Sequence, residues 1–292
     1  MARLHHATVD DGLTMRALVL SGAGAGLFAH GGALDAIRRK REAIGYVTGA
    51  SAGAIAAALY AAGREQRIGK LAETISSEDL WGNDGALPIA TRVYRLIDRL
   101  AWFDHHALAT LIERELDDDA VRAIAEGDVQ LEIPAYDVRS GVAVWWPGDL
   151  GVDALRSAVL ASASLPLALA PITLTDAAGV VRTLVDGGVT ENHPIRRAAA
   201  RVIDAGGGSI IVVSAMQPPR RGPLEGVSDL IGRLISAVLS SDFSADLEAA
   251  TQLGVQIHVV QLGPLSISLS DFTQEEARAA YHQGYSAAWS AL

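Results

Sequence analysis

The chain has 292 residues, half of them hydrophobic, with a formal net charge of −10 and no cysteine. That size and apolar content suffice for one large α/β core, while the negative balance argues against nucleic acid and against electrostatic capture by anionic membranes. Disulfides, thiolate catalysis and cysteine-ligated metals are excluded.

The stretch around His5, His6, Asp10 and Asp11 lacks an apolar core, so no secretory signal is expected and a cytoplasmic location follows. Residues 16–20 then read as a buried strand, opening onto Ser21-Gly-Ala-Gly-Ala-Gly26 and a helix over 30–41. A glycine-rich loop at a helix start exposes backbone N–H groups that can hold an anionic oxygen. The Arg38-Arg39-Lys40-Arg41 run reads as a solvated helix C-terminus, where cations suit the helix dipole. A second strand, 45–48, runs through Gly49-x-Ser51-x-Gly53 into an alanine-rich helix over 51–62. That pattern holds a serine hydroxyl on a tight strand-to-helix elbow, where Gly49 and Gly53 leave room that β-carbons would fill. Ser51 is the candidate nucleophile.

Residues 64–126 read as a mostly helical insertion. Strands at 130–137 and 142–146 flank Arg139-Ser-Gly141 and form an antiparallel hairpin, followed by a helix over 152–161. A strand at 181–185 ends in Asp186-Gly187-Gly188, leaving a carboxylate at a strand tip with no side chains crowding it. Beyond it lie a helix at 194–204, strands at 209–214 and 255–261, and helices at 225–240 and 273–290. In the first of those last helices, Val227, Leu230, Ile231, Leu234, Ile235, Val238 and Leu239 form one apolar stripe, read as core packing with a lipid-facing rim as the alternative.

Strands alternating with helices imply a mainly parallel sheet covered on both faces. No linker or internal repeat divides the chain, so a single domain over 1–292 is expected, with 64–126 as its insertion. In open α/β sheets the ligand crevice lies beyond the carboxyl ends of the strands. Ser51, the glycine loop and Asp186 all follow strands, which allows nucleophile, oxyanion donors and base to meet on one rim.

The segments Leu20-Ser-Gly-Ala-Gly-Ala-Gly-Leu-Phe-Ala-His-Gly-Gly-Ala-Leu34, Gly49-Ala-Ser-Ala-Gly53, Ala161-Ser-Ala-Ser-Leu-Pro166 with Pro171, and Asp186-Gly-Gly-Val-Thr-Glu-Asn192 with Pro194 stand in a telling order. Together they resemble the patatin-like phospholipases, a family of serine lipid acyl hydrolases. The resemblance implies a three-layer α/β/α sandwich and a dyad of Ser51 and Asp186. It maps the oxyanion hole onto Gly22, Ala23 and Gly24, and Gly187 and Gly188 onto the family's Asp-Gly-Gly turn. It implies hydrolysis of a lipid or other acyl ester through an acyl-enzyme, with no metal or other cofactor and with peripheral contact at membranes. The 64–126 insertion would act as a cap over the acyl pocket.

The chain departs from the family's pattern in two places. Gly26 and Leu27 stand where Lys or Arg followed by Gly is usual, and Leu160 where an arginine often precedes the Ala-Ser pair. Without these cations the site suits neutral esters better than phosphate-bearing head groups.

Competing readings remain open at this level. Ser51, Asp186 and His258 stand in the order of a triad hydrolase, and a non-catalytic lipid-binding scaffold would keep the same motifs. A dinucleotide site is disfavoured because Leu27 takes the place of the last glycine in the G-x-G-x-x-G pattern. His30 reads as a structural hydrogen-bonding residue, and Asn192 and His193 as shaping the loop after Asp186.

Overall fold

The computed structural model describes residues 15–77, 79, 91, 101, 103–215, 222–223, 233, 243–267 and 272–292. In strand β1 (Met15–Leu20) the run Ala17–Leu20 is apolar throughout because both faces of the strand are covered there. It lies between β2 (Tyr46–Gly49) and β7 (Gly208–Ser214), parallel to both. The sheet order is β5 (Ile172–Thr175), β6 (Val181–Asp186), β3 (Gln130–Asp137), β2, β1, β7 and β8 (Gln256–Gln261), with β4 (Val142–Pro147) also paired to β3. From β3 to β8 the neighbours are parallel, and β4, β5 and β6 add antiparallel pairings at one end.

Side chains alternate across the sheet and divide the core in two. Leu18, Leu20, Val47, Ile211 and Val213 face α1 (Leu27–Arg39), α2 (Ala52–Ala61), α3 (Gln66–Thr74), α4 (His106–Glu115), α5 (Asp118–Glu126), α6 (Val152–Ser162) and α10 (Gln274–Ala291). On the other face Ala17, Val19, Tyr46, Ile210 and Val212 pack against α8 (Ile195–Asp204) and α9 (Phe243–Gln252). The result is an α/β/α sandwich. Every residue of α2 is buried. Alanine suits it doubly, since it favours the helix and lets the helix axis approach the sheet closely.

Sequence and structure agree to within a few residues at each predicted strand, and α1 starts at Leu27 rather than residue 30. Strand β5 was not expected: it is a four-residue edge strand directly after Pro171, too short to carry a periodic signal. Helix α9 and the one-turn α7 (Gly188–Glu191) were missed for the same want of a stripe. Apart from Arg233, the predicted helix over 225–240 lies outside the described residues, together with its whole apolar stripe. The basic run is partly neutralised, with Arg38 paired to Glu65 and Arg39 to Asp35.

One feature of the sheet decides where the functional groups fall. Strand β2 pairs in parallel with Gln130–Glu132, at the start of β3. On the same edge β6 pairs antiparallel with Ala135–Asp137, at its end, because β4 occupies the opposite edge. Strands β2 and β6 therefore point at each other along one edge of β3, carboxyl end to carboxyl end. The expectation that Asp186 follows a strand running with the others needs correction: the acid arrives from the opposite direction. It meets the elbow head-on.

Beneath that junction Glu132 accepts hydrogen bonds from Tyr46 (2.8 Å), from Arg197 (2.7 and 2.8 Å) and from Arg201. Burial pushes the Glu132 carboxyl up, but those donors outweigh it and hold the group down at about 2. Arg197 and Arg201 are one turn apart on α8, the helix that begins just past the Asp186 loop, so the cluster locks that helix against β2 and β3. Removing either side would strand a poorly hydrated charge.

Candidate active site

Ser51 links β2 to α2 with φ 56° and ψ −127°, a backbone conformation that side chains other than glycine's rarely adopt. Such strain persists only where neighbours enforce it, and here they do. Gly53 sits directly under the carbonyl oxygens of Leu20 and Ser21, with no room for a β-carbon. The Ser51 amide donates to Ser162 Oγ at 3.3 Å, and the residue is 4% exposed. Helix α2 starts immediately after it, so the positive end of a helix dipole lies beside the hydroxyl.

Asp186 is fully buried. Its Oδ1 accepts the Gly188 N–H at 2.7 Å, and its own amide donates to the Ser164 carbonyl at 2.9 Å. Oδ2 has no hydrogen-bond partner. Burial lifts the carboxyl from 3.8 to about 7, against the opposing pull of the Ser51 hydroxyl and the Gly188 amide. The hydroxyl is thus close enough to favour the ionised acid, although no well-aligned hydrogen bond joins the two. Contacts of this kind commonly tighten only when substrate binds.

The Ala161-Ser-Ala-Ser block ties both groups together. Ser162 accepts from Ser51 through its hydroxyl and from the Gly187 amide (3.2 Å) through its carbonyl, while Ser164 holds Asp186. Both serines are completely buried. The sequence of this block shows no sign of the task, because nothing in its spacing tells that one serine braces another.

Of the predicted loop, Gly22 donates its N–H to the Asn192 carbonyl at 3.0 Å, which commits that amide. Gly24, at φ 53°, opens a short 3-10 turn leading into α1 and lines the cavity next to Ser51. Behind the loop, His30 donates from Nε2 to the Ser21 carbonyl (2.9 Å), and His193 Nε2 lies 2.9 Å from Ser214 Oγ. Burial depresses both imidazoles to about 4, so they are neutral structural groups near pH 7. His258 sits on β8, three strands from β2 and so roughly 14 Å away at normal strand spacing. A triad through His258 is incompatible with that position.

An apolar cavity of about 50 Å³ adjoins the serine. Its walls come from the glycine loop and α1 (Leu27, Phe28), from α2 (Ile55), from Leu165, and from the insertion (Leu71, Ile75, Leu108, Leu111). A cavity with such walls takes hydrocarbon in preference to water. Leu27, which stands where the family's pattern has glycine, is part of this wall. The site thus brings together a strained hydroxyl, a buried acid with one oxygen lacking a hydrogen-bond partner, a helix-starting loop and an apolar slot.

The patatin-like phospholipase family matches residues 18–199, and the chain belongs to that family. It is 32% identical over 190 residues to the uncharacterized protein YqhO of Bacillus subtilis strain 168, a match covering 61% of this chain and 64% of that one. Among solved structures it is similar to VipD of Legionella pneumophila, with a TM-score of 0.45 and 12% identity, over 94% of this chain and 66% of VipD. It is also similar to ExoU, a type III effector of Pseudomonas aeruginosa, with a TM-score of 0.43 and 14% identity, over 95% of this chain and 52% of ExoU. The chain spans less than two thirds of the length of each of these relatives.

Proposed function

We propose that this chain is a lipid acyl hydrolase that cleaves carboxylic esters through Ser51 and Asp186. The observation that carries this reading is the buried Asp186 carboxyl, with one oxygen unpartnered, facing a serine on a strained elbow beside an apolar slot. Ser51 Oγ attacks the ester carbonyl while Asp186 Oδ2 takes its proton. The Ala23 and Gly24 amides hold the oxyanion, and Gly22, tied to Asn192, fixes the loop that carries them. Collapse passes the proton to the leaving alcohol and leaves an acyl-Ser51 ester with its chain in the slot. Water, deprotonated by the same carboxylate, then attacks that ester, and Asp186 hands the proton back to Ser51 Oγ as the fatty acid leaves.

A lone aspartate is ordinarily a weak base for a hydroxyl, and here burial supplies the missing basicity. Each oxyanion donor contributes about 3–4 kcal/mol, comparable with the base itself. The apolar walls, with Leu27 among them, favour neutral acyl esters over substrates bearing a phosphate next to the scissile bond.

The test is release of free fatty acid from a long-chain ester as a function of pH. Because the base must be ionised, kcat/KM should rise with pH and level off above about 7, where Asp186 titrates. Glu191, raised to about 7 by burial and by Asp246, titrates in the same window. The acid limb should therefore survive in Glu191→Gln. A flat profile between pH 5 and 8, or an absence of turnover with lipid still bound, would contradict the reading.

A further inference from the structure

The antiparallel end of the sheet exposes apolar residues that neither the core nor the dyad uses. Val138, Val142, Val180 and Val181 are 46% to 53% exposed. All four lie at the tips of two hairpins, β3–β4 and β5–β6. The register sets these tips side by side, since Asp137 pairs with both Val142 and Leu184, and Val181 pairs with Thr175. Four strand ends span about 14 Å at ordinary strand spacing.

We propose that these paired tips are a docking surface that inserts into a phospholipid bilayer and holds the site against it. The proposal rests on the lipid-ester reading above, and four observations favour a bilayer over a protein partner. First, the register puts Val142 on one face of the hairpin blade and Val138 and Val181 on the other. An edge that is apolar on both faces suits a medium that surrounds it, whereas a protein partner covers one side.

Second, the charges near the tip are already neutralised. Arg182 pairs with both Asp137 and Asp176. What is left over is Arg139, exposed at the β3–β4 turn and without an ion pair among the described residues. On a chain of net charge −10, this is a place that can approach lipid phosphates without repulsion.

Third, the tips stand on the working rim of the sheet. Asp186 pairs level with Ala135, and the β3–β4 turn lies three to six residues further along, roughly 10–20 Å beyond the acid. Fourth, the wall of the slot continues toward them. Leu165 lines the cavity, Leu167 two residues later is 48% exposed at φ 67°, and the segment then enters β5.

The experiment uses the full chain with phosphatidylcholine vesicles that carry a neutral diacylglycerol, read by co-sedimentation and by release of fatty acid from that vesicle ester. Turnover of a short-chain water-soluble ester and the elution volume of the lipid-free protein serve as controls. The triple variant Val138→Thr/Val142→Thr/Val181→Thr keeps β-branched side chains and so keeps the strands. It should partition about tenfold more weakly, and Val142→Asp/Val181→Asp about a hundredfold, with vesicle turnover falling in step and soluble-ester turnover unchanged. If the Asp pair fails to fold, the Thr triple carries the test.

Variants that partition as the wild type does would overturn the proposal. So would a wild type that ignores vesicles and elutes as a dimer which the variants dissolve, since the patch would then join two copies of the chain. A wild type that cleaves the soluble ester yet ignores vesicles sinks the docking surface and spares the hydrolase reading. One that partitions onto vesicles but cleaves neither ester does the reverse.

Discussion

Asp186→Asn should lower kcat for ester hydrolysis by about 10³- to 10⁴-fold while leaving the fold intact. The amide keeps the shape of the carboxyl and can still accept the Gly188 N–H, but it takes no proton from Ser51. Stability should move the other way. In the wild type the carboxyl titrates at 3.8 when unfolded and at about 7 when folded, so the folded state favours the protonated acid. That stabilisation is complete below the lower value and is lost as pH rises through the upper one. The variant has no charge to bury, so its melting temperature should match or exceed that of the wild type above pH 7, with the gap closing as pH falls. A variant that loses activity and melting temperature together at pH 8 would mean that Asp186 is mainly a structural anchor.

Gly53→Ala should be among the most damaging single methyl additions at the described residues. The added carbon would fall against the carbonyl oxygens of Leu20 and Ser21, which belong to the central strand and to the loop behind the site and cannot retreat. The chain must either open the elbow or shift α2 from the sheet, a loss of roughly 3 kcal/mol or more. Thermal or urea denaturation measures the cost, and any folded remainder should have lost ester turnover, because the Ser51 backbone conformation depends on this contact. An alanine variant with wild-type stability would show that the elbow is not under the constraint described.

Much of this site was legible in the sequence because it is local. A strand, a Gly49-x-Ser51-x-Gly53 turn and an alanine-rich helix define an elbow over residues 45–62, and Asp186-Gly187-Gly188 ends a strand in plain view. What could not be read is how the two come together. Strand direction is set by pairing, and no pattern within residues 181–185 tells that β6 runs antiparallel along half of β3. Ser162 was invisible as a brace for the same reason, since its partners lie 111 residues away at Ser51 and, beyond two intervening strands, at Gly187. The state of Gly22 was likewise hidden, because its amide is claimed by a carbonyl 170 residues on. Apolar residues of the insertion, Leu71, Ile75, Leu108 and Leu111, look like any amphipathic stripe until their shared cavity is seen. His258 shows the opposite hazard, as chain order suggested a triad that sheet order forbids.

The proposed chemistry depends on one serine being activated. Reaction with a fluorophosphonate probe, followed by peptide mapping, tests this directly. The adduct should fall on Ser51 alone, form faster as pH rises toward and past 7, and vanish in Ser51→Ala. Labelling of a different serine, or ester turnover that persists in Ser51→Ala, would contradict the central claim.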